Sequence, residues 1–193
     1  MKRDPGPASS ICELKITLRH IEPPIWRRVR LPSSVSLHAV HAVIQAAFGW
    51  TDSHLHEFQI GNAVYAEDNE YEEREVLDER QTTLGSVLAA AGPQNLEFLY
   101  VYDLGDYWEH EVSVEIDAHS DASIRHAQCI AGERRCPPED CGGTSGYDEL
   151  CYVLTHSDHE DHQAMLDWVG GSFDPEEFDL AETNQRLRAT IWS

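Results

Sequence analysis

The sequence predicts an α+β domain: an antiparallel sheet of about five strands, helices packed on one face, and a helix-rich C-terminal third. Three observations carry this expectation. Residues 12–18 and 108–116 alternate apolar and polar side chains, the period of a half-buried strand. Leu37, Val40, Val43, Ile44, Ala47 and Phe48 recur at helical spacing. Strand signals dominate the first 117 residues and a run of helix signals follows, an order that favours helices laid on an antiparallel sheet.

Taken in order, residues 1–10 (MKRDPGPASS) are polar and rich in Pro, Gly and Ser, and are expected to be a disordered tail. Residues 11–193 then form one domain. It is mainly sheet over 11–117, a Cys/Pro loop region over 118–145, and helical over 146–190. Cys12, Leu14, Ile16 and Leu18 alternate with Glu13, Lys15, Thr17 and Arg19 in a first strand. Pro23-Pro24 breaks it, and Ile25 to Leu31 reads as an antiparallel second. Ser36 fits a helix N-cap and Gly49 a C-terminal stop. His54 to Ile60 reads as a strand with His54, His56, Phe58 and Ile60 on one face. The acidic stretch 67–80 reads as a solvated loop, and Thr83 to Ala91 as a short helix stopped by Gly92-Pro93. Leu96–Tyr102 and Trp108–Ile116, joined by Asp103-Leu104-Gly105-Asp106, form the clearest hairpin. A helix opens at Gly146 and runs to about Leu154. Ser157 with Glu160 predicts a capping box for a helix reaching Val169. Asp174-Pro175 predicts an N-cap before an N1 proline, and Asp179 with Glu182 a second capping box for a last helix to about Ala189.

The chain has 193 residues and a formal net charge of −21. That much acid repels phosphate backbones and argues against nucleic acid as a partner. Seven basic residues stand against three acidic ones in residues 1–31. Their simplest use is pairing with acids of the same domain, and direct DNA contact through them is the weakest reading. No apolar run is long enough to span a bilayer, and the N-terminus shows no secretory pattern, so the expectation is a cytoplasmic protein without a membrane partner. Five cysteines, an odd number, read as thiols or metal ligands rather than a disulfide framework; Cys12 and Cys151 sit in apolar segments and read as core.

Four constellations could carry chemistry. His54-x-His56 on a strand places two imidazoles on one face, a two-ligand arrangement that Asp52 could orient. Asp103, Asp106, Trp108 and His110 bracket a Gly turn, with acids and a histidine in acid–base or metal-binding proximity. The segment CIAGERRCPPEDCGG (129–143) presents Glu139 and Asp140 on a loop stiffened by Pro137-Pro138, flanked by Cys136 and Cys141. Its Cys129-x6-Cys136-x4-Cys141 spacing is not the paired CxxC of a zinc ribbon, so zinc there would need a further ligand. Finally, His156-x2-His159-x2-His162 is both a histidine tract and the start of a helix, and the helix start is the plainer reading. No Walker loop, GxGxxG, HExxH or GxSxG is present.

Five blocks in order, LKITLRHIEPPIWRRV (14–29), LHAVHAVIQAAFGWTDSHLHEF (37–58), YDLGDYWEHEV (102–112), GERRCPPEDCGGTSGY (132–147) and WVGGSFDPEEFDLAETN (168–184), resemble the plasmid pRiA4b ORF-3-like family. The resemblance spans about residues 11–190. It implies a compact α+β domain of bacterial or archaeal origin, often carried on plasmids or mobile elements, and brings no established activity with it.

The functional expectation is a polar pocket formed by His54, His56, Asp103, Asp106, Trp108, His110, Glu139 and Asp140 at one end of the sheet. It would take a divalent metal such as zinc, held by His54, His56, His110, Cys136 and Cys141, or a small polar ligand. Any catalysis would be metal-dependent hydrolysis, with Glu139, Asp140 and His110 as acid–base groups. The alternative is an acidic interaction module without catalysis that binds a basic protein partner.

Overall fold

A computed structural model describes residues 10–67, 76–92, 96–117, 124 and 126–190. The expected N-terminal tail, apart from residue 10, and most of the acidic stretch (68–75) lie outside the described residues. The elements in chain order are β1 (Ile11–Leu18), β2 (Ile25–Pro32), α1 (Leu37–Phe48), β3 (His56–Ile60), β4 (Ala63–Ala66) and β5 (Leu77–Asp78). There follow α2 (Leu84–Ala91), β6 (Leu96–Tyr102), β7 (Trp108–Asp117), β8 (Gln128–Glu133), α3 (Gly143–Thr155), α4 (His162–Trp168) and α5 (Leu180–Ala189).

The strands form one sheet in the order β5-β4-β3-β6-β7-β1-β2-β8. Its described pairings are antiparallel except β4 with β5. The expected sheet of about five strands is therefore too small. The described residues hold eight, because β4, β5 and β8 are short or Gly-containing and carry little alternation of their own. Helices are not confined to the C-terminal third: α3, α4 and α5 lie there, while α1 and α2, both expected from their spacing, lie in the first half of the chain.

Alternation drives the sheet's packing. The register aligns Phe58, Tyr100, His110, Leu18 and Ile25 across β3, β6, β7, β1 and β2, and all five are buried. The adjoining row pairs His56, Tyr102 and Trp108. Against the sheet, α1 buries Leu37, Val40, Val43, Ile44, Ala47 and Phe48. Each large side chain among these contributes about 1.5–3 kcal/mol of hydrophobic stabilisation. Ser36 caps α1 by accepting from the Ala39 N–H, and Gly49 ends it in the left-handed region at φ 88°. Helix α5 packs on α1 and β8.

The opposite face of β1 and β2 is polar. Glu13 accepts from Arg28 (2.5 Å) and Arg30 (3.0 Å), Arg19 pairs with Glu109 (3.3 Å), and Lys15 lies over the Trp26 ring. The described arginines of the basic N-terminal stretch are thus engaged within the domain. Arg27 points the other way and is 2% exposed. Its guanidinium donates to the carbonyls of Trp26, Ala47, Glu133 and Arg134 and stacks against Phe48 and Phe178. Four carbonyl acceptors replace the water this cation loses.

Candidate functional site

Helix α1 begins LHAVHAV, so His38 and His41 are three residues apart and share a helix face. Strand β3 opens at His56, and the turn after β5 carries Glu79. That turn is tied at both sides: the Glu79 N–H donates to Ala66 O (3.3 Å), and the Glu79 carbonyl accepts from the His38 N–H (3.3 Å). These elements bring three imidazoles and a fully buried carboxylate together.

Glu79 Oε1 meets His38 Nδ1 and Oε2 meets His56 Nε2, each at 2.8 Å. Burial works to raise this carboxyl, but the hydrogen bond and charge of His56, with the hydrogen bond of His38, prevail and hold it below the ordinary glutamate range. It is a carboxylate. The His56 ring stacks on His41, with centroids 3.5 Å apart and planes 7° from parallel.

A closed set of bonds orients His41. The Asp52 N–H donates to Gln45 Oε1 (3.0 Å), which directs the Gln45 amide NH2 to the Tyr100 hydroxyl oxygen (3.1 Å). Tyr100 then donates to His41 Nδ1 (2.7 Å), and His41 Nε2–H donates to Asp52 Oδ1 (2.9 Å). Burial, with the neighbouring His56, lowers the His41 pKa to about 3, so its ring is neutral at ordinary pH. Burial raises Tyr100 well above the usual phenol value and raises Asp52 to a lesser degree.

His38, His41, Asp52, His54, His56 and Glu67 line one cleft of ≈ 500 Å³. Within it, the ligand atoms of His41, Asp52 and His56 lie within 4.8 Å of one another, as do those of His38, Glu67 and Glu79. Two ligands of one tetrahedral zinc ion lie roughly 3.3 Å apart. Imidazole with carboxylate suits zinc and its first-row neighbours.

The residues singled out from sequence divide into separate places. His56 belongs to the Glu79 cluster. His54 precedes β3 rather than sharing its face, and its Nε2 lies 3.1 Å from Asp140 Oδ1 and 3.6 Å from Asp103 Oδ2. Asp106 holds the Cys/Pro loop, accepting at Oδ2 from the Gly142 N–H (3.0 Å). Glu139 accepts from the Thr51 N–H and hydroxyl and from Tyr102 (2.5 Å), which binds that loop to the end of α1. Trp108 is buried beside Trp50. His110 lies in the core with its ring edge-on to Phe48 and Trp50, and burial lowers its pKa to about 3. Cys136 and Cys141 are free thiols raised by burial, Cys141 to about 12, and neither joins a group of three close ligand atoms among the described residues. Of the histidine tract, His156 and His162 use Nδ1 on the carbonyls of Tyr152 and Val153.

Sequence reasoning passed over His38, His41 and Glu79. The paired histidines on an otherwise apolar helix face were the available signal. Glu79 sits among so many acids that only tertiary burial distinguishes it.

A larger groove of ≈ 680 Å³ has Glu139, Asp140, Trp168 and Phe178 among its walls. Its cations are already committed: Arg135 to Glu177, Arg186 to Glu182, and Arg27 to backbone carbonyls. Among the described residues, imidazole and carboxylate ligands concentrate instead in the histidine cleft.

The fold and this cleft define a class: an α+β domain with an eight-stranded, mostly antiparallel sheet and a histidine–carboxylate cluster between its first helix and the turn after β5. The family model described as "Plasmid pRiA4b ORF-3-like protein" matches residues 10–182, and the chain belongs to that family. It is 36% identical over 176 residues to the uncharacterised protein y4hQ of Sinorhizobium fredii, covering 91% of this chain and 87% of that one. It also resembles the crystal structure of MM3350, a protein of unknown function from Methanosarcina mazei Go1. There the TM-score is 0.78 at 31% identity, over 90% of this chain and 97% of the other.

Proposed function

We propose that the chain binds a divalent metal ion in the cleft of His38, His41, His56, Asp52, Glu67 and Glu79. The observation that carries this reading is Glu79, a fully buried carboxylate held between two imidazoles beside a third. Each group of three offers only three ligands, so a bound ion keeps positions open for water or a small polar ligand. Water on such an ion becomes a nucleophile near neutral pH, and hydrolysis of a small polar substrate is the reaction class this supports. Glu139 lines the neighbouring groove and is not part of this cleft. Five free cysteines fit the reducing cytoplasm.

Binding through His41 Nε2 displaces the proton now shared with Asp52, so zinc uptake releases protons. Calorimetric titration with zinc should therefore give heats that change with the buffer's ionisation enthalpy. Glu79→Gln and His56→Ala should each weaken binding at least tenfold. Equal affinity in wild type and both variants would refute the assignment.

A second reading, docking of a basic protein partner, rests on the net charge of −21. It predicts salt-sensitive association with a polycationic probe such as polylysine that Glu79→Gln leaves unchanged, because Glu79 is buried. Association insensitive to salt would remove it.

A further inference from the structure

We infer that His54, Asp103 and Asp140 form a second divalent-cation site, one that clips the Cys/Pro loop to the turn between β6 and β7. It shares no ligand with the centre proposed above and stands or falls separately.

Three elements meet here. His54 comes from the segment before β3, Asp103 from the turn after β6, and Asp140 from the Cys/Pro loop. Asp103 spends Oδ1 on the turn, accepting from the N–H groups of Gly105 (2.8 Å) and Asp106 (3.2 Å). Its Oδ2 is left 3.6 Å from His54 Nε2. Asp140 Oδ1 lies 3.1 Å from the same nitrogen. Despite these distances, Nε2 is buried and makes no hydrogen bond to either carboxylate. The three ligand atoms lie within 4.8 Å of one another.

A buried ring nitrogen without a hydrogen bond requires an explanation. A cation seated between the three groups supplies one. It takes the Nε2 lone pair and one oxygen from each carboxylate, and two negative charges balance a divalent ion. The loop that delivers Asp140 is already positioned on both sides. Trp50 Nε1 donates to the Pro137 carbonyl (3.0 Å), Glu139 is bound by Thr51 and Tyr102, and the Gly142 N–H reaches Asp106. The ion would join parts already close together, with little ordering cost.

The test is zinc stoichiometry by elemental analysis after equilibrium dialysis, with Asp140→Asn, His54→Gln and Glu79→Gln compared to wild type. Asp140 is exposed at φ 59°, a conformation asparagine tolerates, so that variant keeps the fold. Wild type should bind two ions per chain. Asp140→Asn and His54→Gln should each weaken one of them at least tenfold, while Glu79→Gln spares it. Zinc should also slow amide exchange across residues 139–143 at least tenfold in wild type and not in Asp140→Asn. If both loop-side variants keep wild-type stoichiometry and affinity, or if wild type binds one ion that Glu79→Gln alone removes, the second site is refuted. In the latter case the cleft assignment survives. If Glu79→Gln changes nothing while Asp140→Asn removes an ion, the reverse holds.

Discussion

His110 shows what a polar residue means when the core surrounds it. On the sequence it stands in line with acids and a tryptophan at the end of a hairpin. In the fold it occupies the buried row between Tyr100 and Leu18, packed on Phe48 and Trp50. Its pKa of about 3 lies below the unfolded value of roughly 6.5. Between those values the unfolded chain binds the extra proton, so its contribution is complete above pH 6.5 and is lost as pH falls toward 3. The slope is about 1.4 kcal/mol per pH unit for this one group. Urea unfolding at pH 7 and pH 5 should show wild type losing more stability than His110→Phe, and parallel losses would contradict the assignment. Arg27 makes the complementary case of a buried charge satisfied by geometry. Lysine cannot reproduce the planar fork that reaches four carbonyls, and Arg27→Lys should cost about 3 kcal/mol in chemical unfolding. An unchanged midpoint would show that those carbonyls find other donors.

At the scale of elements, the strongest periodic signals were legible. β1, β2, β6, β7 and α1 follow the alternation or helical spacing of their side chains, and Ser36, Thr83 and Asp179 cap helices as their side chains allow. The failures have physical causes. Ser157 with Glu160 has the form of a capping box, yet α4 starts only at His162, because the His159 and His162 N–H groups donate to the carbonyls of His156 and His159 in successive turns. Asp174 accepts from the Glu176 N–H in an isolated turn and starts no helix. β8 was hidden in what read as loop, since a six-residue strand containing Gly132 shows no clear period. Gly132 is required there: a Cβ would lie 2.7 Å from the Phe178 ring and 2.9 Å from Arg27 Cδ. The site was legible only in part. His54, Asp103 and Asp140 were chosen by residue type and do converge, whereas the Glu79 cluster depends on a two-residue strand, β5, that no pattern announces. Gly143 tests how closely the Cys/Pro loop meets the hairpin turn. It has φ 68°, and a Cβ would sit 2.6 Å from the Asp106 carbonyl oxygen. Gly143→Ala should lower stability by about 2 kcal/mol or more in thermal unfolding. A neutral effect would show that the loop yields easily.

For the whole molecule, the sheet acts as a platform whose β3–β6–β7 end gathers the candidate ligand side chains. The relatives y4hQ, at 36% identity, and MM3350, at 31%, are an uncharacterised protein and a protein of unknown function. In this chain four histidines, with Asp52 and Glu67, line one cleft. Cys136 is buried and Cys141 half-buried, both free thiols, and replacing them with serine should leave metal content unchanged by elemental analysis. A drop in content would return the thiols to the ligand set. Anomalous diffraction from zinc-soaked crystals, recorded on both sides of the zinc edge, decides whether the cleft holds an ion. A peak is expected about 2 Å from His56 Nε2, with Glu79 or Asp52 as a second ligand. Peaks confined to the surface histidines 156–162, with none in the cleft at full soak, would contradict it.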